Sequence, residues 1–350
     1  MGGSPDAIAT QPWDAEHPVL EIIRKRRASG SRPGARDHGD TAKVGLAVEG
    51  GGMRGVVSAS MLAALEDQGF SDAFDAVYGC SSGAVNSAYF LAGGTWYPVS
   101  IYYDDLTSRR FIDFARGLRG GNVLDLDYAF GEVVEIIKPL AYDRVLAADT
   151  PLHVAITDVD AIRTRLISDF TDRTDLKAAL LASAWLPIAV RGTAQFRGWR
   201  ALDGGVVTAL PFRLALRDGC THVLSLSTRP MRSGNGGLGL QHRYTHRYLE
   251  KIKKGLGTAY LASVRQRLRD QVDLTARRDV ASRLAPYVLD LAPLPEDTEV
   301  KRHELRSHLL ISAARRAYSL MYCAVEGRPA DLLRSGRLHA VPRLMVVDQR

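Results

Sequence analysis

Three short runs in this 350-residue chain hold residue types that covalent chemistry uses, at spacings it can use: Glu49-Gly50-Gly51-Gly52-Met53-Arg54-Gly55, Gly79-Cys80-Ser81-Ser82-Gly83 and Asp203-Gly204-Gly205. The middle run has the G-x-S-x-G form. Gly79 and Gly83 remove side chains that would obstruct a sharp turn, so the Ser81 hydroxyl can stand clear as a nucleophile. The bland alternative is that Ser81 merely caps a helix. In the first run, successive glycines let backbone N–H groups crowd around an anionic centre, either a phosphate or the oxyanion of a tetrahedral intermediate.

A serine hydroxyl needs a proton acceptor. The histidines are scattered, and His222, at an expected strand start, is the only one in the sheet region downstream of both Ser81 and Asp203. Asp203 is the more economical base. An unperturbed aspartate, with a pKa of about 3.9, is weak in that role. A short hydrogen bond in a dry cleft raises it and lets proton removal accompany attack. Asp-Gly-Gly is also ordinary turn chemistry. Arg54, in the first turn of an expected helix, opposes the helix dipole and calls for an anionic neighbour: a phospholipid headgroup, Glu49 or a developing oxyanion.

Gly50, Gly52 and Gly55 also fit G-x-G-x-x-G, the dinucleotide fingerprint, which makes an oxidoreductase the rival from another reaction class. That fingerprint needs an acidic residue at the end of the second strand, where this chain has Gly79, Cys80 and Ser81.

Positioning these residues requires a sheet. Residues 44–48 read as a buried strand, 50–55 as a glycine turn and 56–68 as an apolar helix; residues 76–79, 80–82 and 83–92 repeat the scheme. Two successive βα units imply a parallel sheet. Strands are expected at 152–157, 164–168 and 221–227, with shorter ones at 188–190 and 196–202 and a helix at 175–184. Past a glycine-rich stretch at 233–239 the chain reads as helical over 244–278 and 304–325, with a last strand-like segment at 338–347. The expected organisation is a mobile N-terminal arm over 1–40, whose apolar patch at 19–23 reads as a segment docking on the domain's own surface in preference to a membrane-contact helix, a catalytic domain over 41–230 and a helical extension over 231–350 packing on it.

A hydrophobic fraction of 46% and a charged fraction of 24% are ordinary for a globular protein. The net charge of +7 favours an anionic surface. Basic clusters at 24–27, 251–254 and 265–269 lack interleaved aromatics, so peripheral contact with a membrane is favoured over nucleic acid. Three separated cysteines give neither a disulfide framework nor a metal knuckle and fit a reducing cytosol. No transmembrane span is expected, because the longest apolar stretch, 178–190, is too short and contains Pro187. His242 and His246 lie one turn apart without an acidic ligand, so no metal is expected.

Together the three runs resemble the patatin-like phospholipases, whose pattern is G-G-G-x-R-G, G-x-S-x-G and a later D-G-G. Ala182-Ser183-Ala184-Trp185-Leu186-Pro187 is similar to that family's small-residue segment ending in proline. The resemblance spans residues 43–230. It implies a three-layer α/β/α fold around a mostly parallel sheet, a Ser81–Asp203 dyad, and an oxyanion hole from Gly51 and Gly52 with Arg54 adjacent. Gly50, Gly55, Gly79, Gly83, Gly204 and Gly205 would support these motifs. It further implies hydrolysis of lipid or phospholipid carboxyl esters through an acyl-enzyme, with no metal or organic cofactor. Glu49 stands where the family often has Asp, and Cys80 where Thr is frequent. A transacylase and a catalytically silent lipid-binding module are the readings closest to this one.

Overall fold

The computed structural model describes residues 12–208, 210–230, 239–277, 285–329 and 331–334. Its strands are β1 (Val44–Val48), β2 (Ala76–Cys80), β3 (Leu152–Asp158), β4 (Arg163–Ile167), β5 (Ala194–Phe196), β6 (Trp199–Asp203), β7 (His222–Leu226) and β8 (Tyr287–Leu291). The helices begin with α1 (Pro18–Ser29), α2 (Gly55–Asp67), α3 (Ser82–Ala92), α4 (Trp96–Ser100), α5 (Phe114–Leu118) and α6 (Tyr142–Leu146). They continue with α7 (Arg173–Ser183), α8 (Phe212–Arg217), α9 (Leu240–Ile252), α10 (Leu256–Ala276), α11 (Ser307–Val325) and α12 (Asp331–Arg334).

One sheet runs β5-β6-β3-β2-β1-β7-β8, with β4 on β3. β1, β2, β3, β7 and β8 are parallel, while β4, β5 and β6 enter antiparallel. Side-chain alternation gives the sheet two dry faces. Val44, Leu46 and Val48 join the larger core with α1, α2, α3, α7 and α11. Ala47, Tyr78, Val223 and Val288 pack with Phe212 and Leu214 of α8 and Leu274 of α10. The result is the expected three-layer α/β/α sandwich.

Pairing register explains how residues far apart in sequence meet. β2 pairs β3 as far as Cys80 opposite Ala155, and β6 pairs β3 with Asp203 opposite Ile156. β4 occupies one edge of β3 from Val154 to Asp158. Both β2 and β6 must therefore lie on the other edge, β6 taking it up at the residue where β2 ends. Ser81, the first residue beyond β2, thus arrives beside the last residue of β6.

Several expectations are corrected. The stretch at 1–40, expected as a mobile arm, carries α1 over 18–29, whose Val19, Leu20 and Ile23 are buried. Arg26, 1% exposed, holds it with ion pairs of 2.8 Å to Asp40 and Asp75. Arg24 donates to the carbonyls of Ala324 and Val325, and Arg27 pairs with Glu326. Of this basic cluster, Arg26 is buried and Arg24 half-buried, while Lys25 and Arg27 remain exposed.

The expected helix at 244–278 is two helices parted at Gly255, whose φ is +92°. Residues 188–190 form no strand beyond an isolated bridge between Pro187 and Val190, and 196–202 is part of a β5–β6 hairpin. β8, within the extension expected to be helical, adds the edge strand beside β7. The strand expected at 338–347 and the glycine-rich stretch at 233–238 lie outside the described residues.

Candidate active site

The site forms where open parallel sheets bind ligands, beyond the carboxyl ends of the strands. Between β2 and α3 the chain turns on Ser81 itself, at φ 56° and ψ −134°. That conformation is rare for a residue with a side chain and persists only where surroundings enforce it. Here they do. A methyl group on Gly79 would stand 2.4 Å from the Ala84 Cα, and one on Gly83 2.4 Å from the Val48 carbonyl oxygen. Only glycines let β2, α3 and the end of β1 approach so closely.

Ser81 occupies the N-cap position of α3, yet its side chain makes no capping hydrogen bond. Instead its hydroxyl lies near enough to the Asp203 carboxylate to favour that group's charged form. Asp203 is 4% exposed, and its Oδ1 also accepts from the Gly205 N–H at 2.7 Å. Burial pushes its carboxyl above the ordinary aspartate value, against the opposing pull of the Ser81 hydroxyl and the Gly205 hydrogen bond. Gly204 is obligatory for this contact, because a methyl group there would sit 2.3 Å from the Ala155 carbonyl oxygen.

One segment clamps both residues. The Ser183 hydroxyl, at the end of α7, accepts from the Ser81 N–H at 2.9 Å and donates to the Ala155 carbonyl at 2.8 Å. The Trp185 carbonyl accepts from the Asp203 N–H at 3.0 Å, and Thr157 Oγ1 donates to the Asp203 carbonyl at 2.9 Å. The sequence held one signal for Ser183, the 182–187 segment, but no role could be read from it.

The glycine turn lies against the same spot. A methyl group on Gly50 would stand 2.3 Å from the Cys80 carbonyl oxygen and 2.9 Å from Ser81 Cβ. Of the two amides expected to face an oxyanion, Gly51 N–H already donates to Ser82 Oγ at 3.0 Å. Gly52 N–H bonds no described residue, and the Ser82 N–H opens α3, where the first amides of a helix have no partner within it. The next amide, Met53 N–H, donates to the Arg302 carbonyl at 3.1 Å, so a chain segment beyond β8 seals the turn. A dinucleotide pyrophosphate would need those amides, and this seal together with the missing ribose carboxylate speaks against the oxidoreductase.

Arg54 is buried beneath the turn, with its Nη1 3.4 Å from Glu299 and its Nε and Nη2 unpartnered. Burial, with the neighbouring Arg229 and Arg302, lowers it to about 9, which leaves it charged at neutral pH. Glu49 is also buried and accepts from the Thr228 N–H and hydroxyl at 2.8 and 3.0 Å, tying the ends of β1 and β7 together. Cys80 brings its Sγ to 3.9 Å from Asp203 Oδ1. Burial and the Asp203 charge push this thiol well above its usual value, so it is held neutral. His222 bonds Thr221 and packs on Tyr287 at the opposite end of β7. His242 meets the Tyr260 hydroxyl and His246 lies 3.8 Å from Glu250.

The chain is similar to several known proteins. An uncharacterized protein of Escherichia coli (strain K12), YjjU, is 27% identical over 222 residues, 63% of this chain and 58% of that one. The human patatin-like phospholipase domain-containing protein 4 is 38% identical over 77 residues, 22% of this chain and 29% of its own. The matches thus span less than two thirds of either relative. In the crystal structure of VipD from Legionella pneumophila, the likeness has a TM-score of 0.42 at 13% identity, covering 84% of this chain and 67% of that one. Residues 46–216 match the family described as patatin-like phospholipase, so the chain contains a patatin-like phospholipase domain.

Proposed function

We propose that this chain hydrolyses carboxyl esters of lipids through an acyl-enzyme on Ser81. The observation that carries the reading is Ser81, on a turn of positive φ, facing the buried Asp203 carboxylate that its hydroxyl acts on. As the Ser81 oxygen attacks the ester carbonyl carbon, its proton passes to Asp203. The carbonyl oxygen gains negative charge and is met by the Gly52 and Ser82 amides, with Gly51 N–H joining once it releases Ser82 Oγ; Arg54 supplies a fixed positive charge beneath the turn. Collapse expels the alcohol, which takes the proton from Asp203. Water then repeats the cycle on the acyl-enzyme: its proton goes to Asp203, the acid leaves, and the proton returns to Ser81.

A raised Asp203 suits this role, because a base works best when its affinity for the proton approaches that of the operating pH. Neither histidine nor metal is required by these steps. Ser81→Ala should lower turnover of p-nitrophenyl butyrate at least about a thousandfold while leaving the circular dichroism spectrum unchanged. Activity surviving in that variant rejects the assignment. A lipid-binding module without catalysis would instead bind vesicles and show no turnover in the unsubstituted protein.

A further inference from the structure

Four arginines from separate parts of the chain lie near enough to this site to act on Glu49, Asp203 or one another. Arg54 lies under the glycine turn, Arg229 follows β7, Arg267 projects from α10, and Arg302 lies between β8 and α11. They are near enough to repel one another: Arg54 feels Arg229 and Arg302, and Arg302 feels Arg229 and Arg267. Arg267 and Arg302 both act on Asp203. A methyl group on Gly205 would lie 3.7 Å from Arg267 Nη2, and the Arg302 carbonyl is bonded to the glycine turn.

Arg54 and Arg267 are poorly matched by hydrogen-bond acceptors. The buried carboxylates of Glu49 and Asp203 act on the arginines through charge, while accepting their hydrogen bonds from Thr228 and Gly205. Arg54 Nε, Arg54 Nη2 and Arg267 Nε are buried with no hydrogen-bond acceptor. The side chains of Arg267 and Arg302 form no ion pair among the described residues. Buried donors without acceptors are costly and uncommon in folded proteins. Their depth is graded, from exposed Arg302 through half-buried Arg267 to buried Arg54. Guanidinium groups so arranged match the oxygens of a phosphate.

We propose that Arg267 and Arg302, with Arg54 below them, bind a phosphate group of the acyl substrate, so that the site selects esters whose headgroup is net negative. This rests on the hydrolase reading. It goes beyond it, because Arg267 and Arg302 lie outside the matched residues 46–216. A choline cation on the phosphate would meet the same arginines and be disfavoured. A glycerol headgroup leaves the phosphate charge uncompensated.

The test uses the full chain acting on phosphatidylglycerol or phosphatidylcholine at equal, low mole fraction in neutral detergent micelles. The unsubstituted protein should prefer phosphatidylglycerol by about tenfold or more in kcat/KM. Arg267→Gln with Arg302→Gln should bring the ratio toward one, chiefly through KM for the anionic lipid, while Arg267→Lys with Arg302→Lys restores much of it. A ratio near one in the unsubstituted protein, or one unaltered by the glutamines, overturns the inference.

Inorganic phosphate separates the two sources of the anion. If it competes with p-nitrophenyl butyrate, fails to do so in the glutamine variant, and lipid selectivity is absent, the site is kept and its assignment to a headgroup falls. Should no ester be cleaved at all, the hydrolase reading fails instead. Calorimetric binding of glycerol 3-phosphate to Ser81→Ala then still decides the phosphate site.

Discussion

Asp203 combines two roles that pull in opposite directions: it must be buried to sharpen its exchange with Ser81, and burial disfavours its charge. The raised pKa makes the folded state hold the proton more tightly than the unfolded chain does. Stability linked to this group is therefore fully present below the unfolded value of about 3.9 and is lost as pH rises through the folded value. Asp203→Asn, whose Oδ1 can still accept from Gly205, should abolish turnover without lowering the melting temperature at pH 7. A clear drop in melting temperature would mean that the charge is structural. For the unsubstituted protein, kcat/KM should climb with pH along a limb governed by one proton, its midpoint above about 3.9. A flat profile through that range would remove Asp203 from the proton path. Ser81, Asp203 and the glycines around them were legible in the sequence because each motif states a local backbone requirement. Ser183 was not, since its task is to hold a partner about a hundred positions away.

Among the elements, the end of α7 acts as a brace across β2, β3 and β6 through Ser183 and Trp185. Ser183→Ala leaves the Ser81 N–H and the Ala155 carbonyl each short of a partner, costing about 1–3 kcal/mol of stability. Its kinetic signature should be a fall in kcat of about tenfold to a hundredfold with KM little changed, as for a displaced nucleophile. Equal loss in kcat and gain in KM would indicate general disruption instead. Strands bounded by glycine, as at β1 and β2, were readable from periodicity. The β5–β6 hairpin was blurred because Arg197 and Gly198 turn it at positive φ inside what looked like one strand. The break between α9 and α10 was hidden because Gly255 interrupts an otherwise helical pattern. β8 escaped notice because its place at the edge of the sheet depends on β7, not on any local signal.

On the scale of the whole molecule, the two ends of the described chain meet across the core: α1 bonds the end of α11 through Arg24 and Arg27 and is pinned to the sheet side through Arg26. Arg26→Ala would strand the Asp40 and Asp75 carboxylates and should lower unfolding free energy by about 3–5 kcal/mol in urea titrations. A loss below about 1 kcal/mol would show that α1 docks through its apolar face alone. Composition foresaw none of this, because a basic cluster reads the same whether it meets solvent, lipid or buried carboxylates. Among the described residues no helix is long and apolar enough to cross a membrane.

The most direct measurement of the central claim is covalent labelling by a fluorophosphonate, followed by intact mass and peptide mapping. The unsubstituted protein should gain one adduct, on Ser81; Ser81→Ala should gain none, and Asp203→Asn should react far more slowly. Labelling at the same rate without the Asp203 carboxylate, or an adduct on any other side chain, would contradict the account.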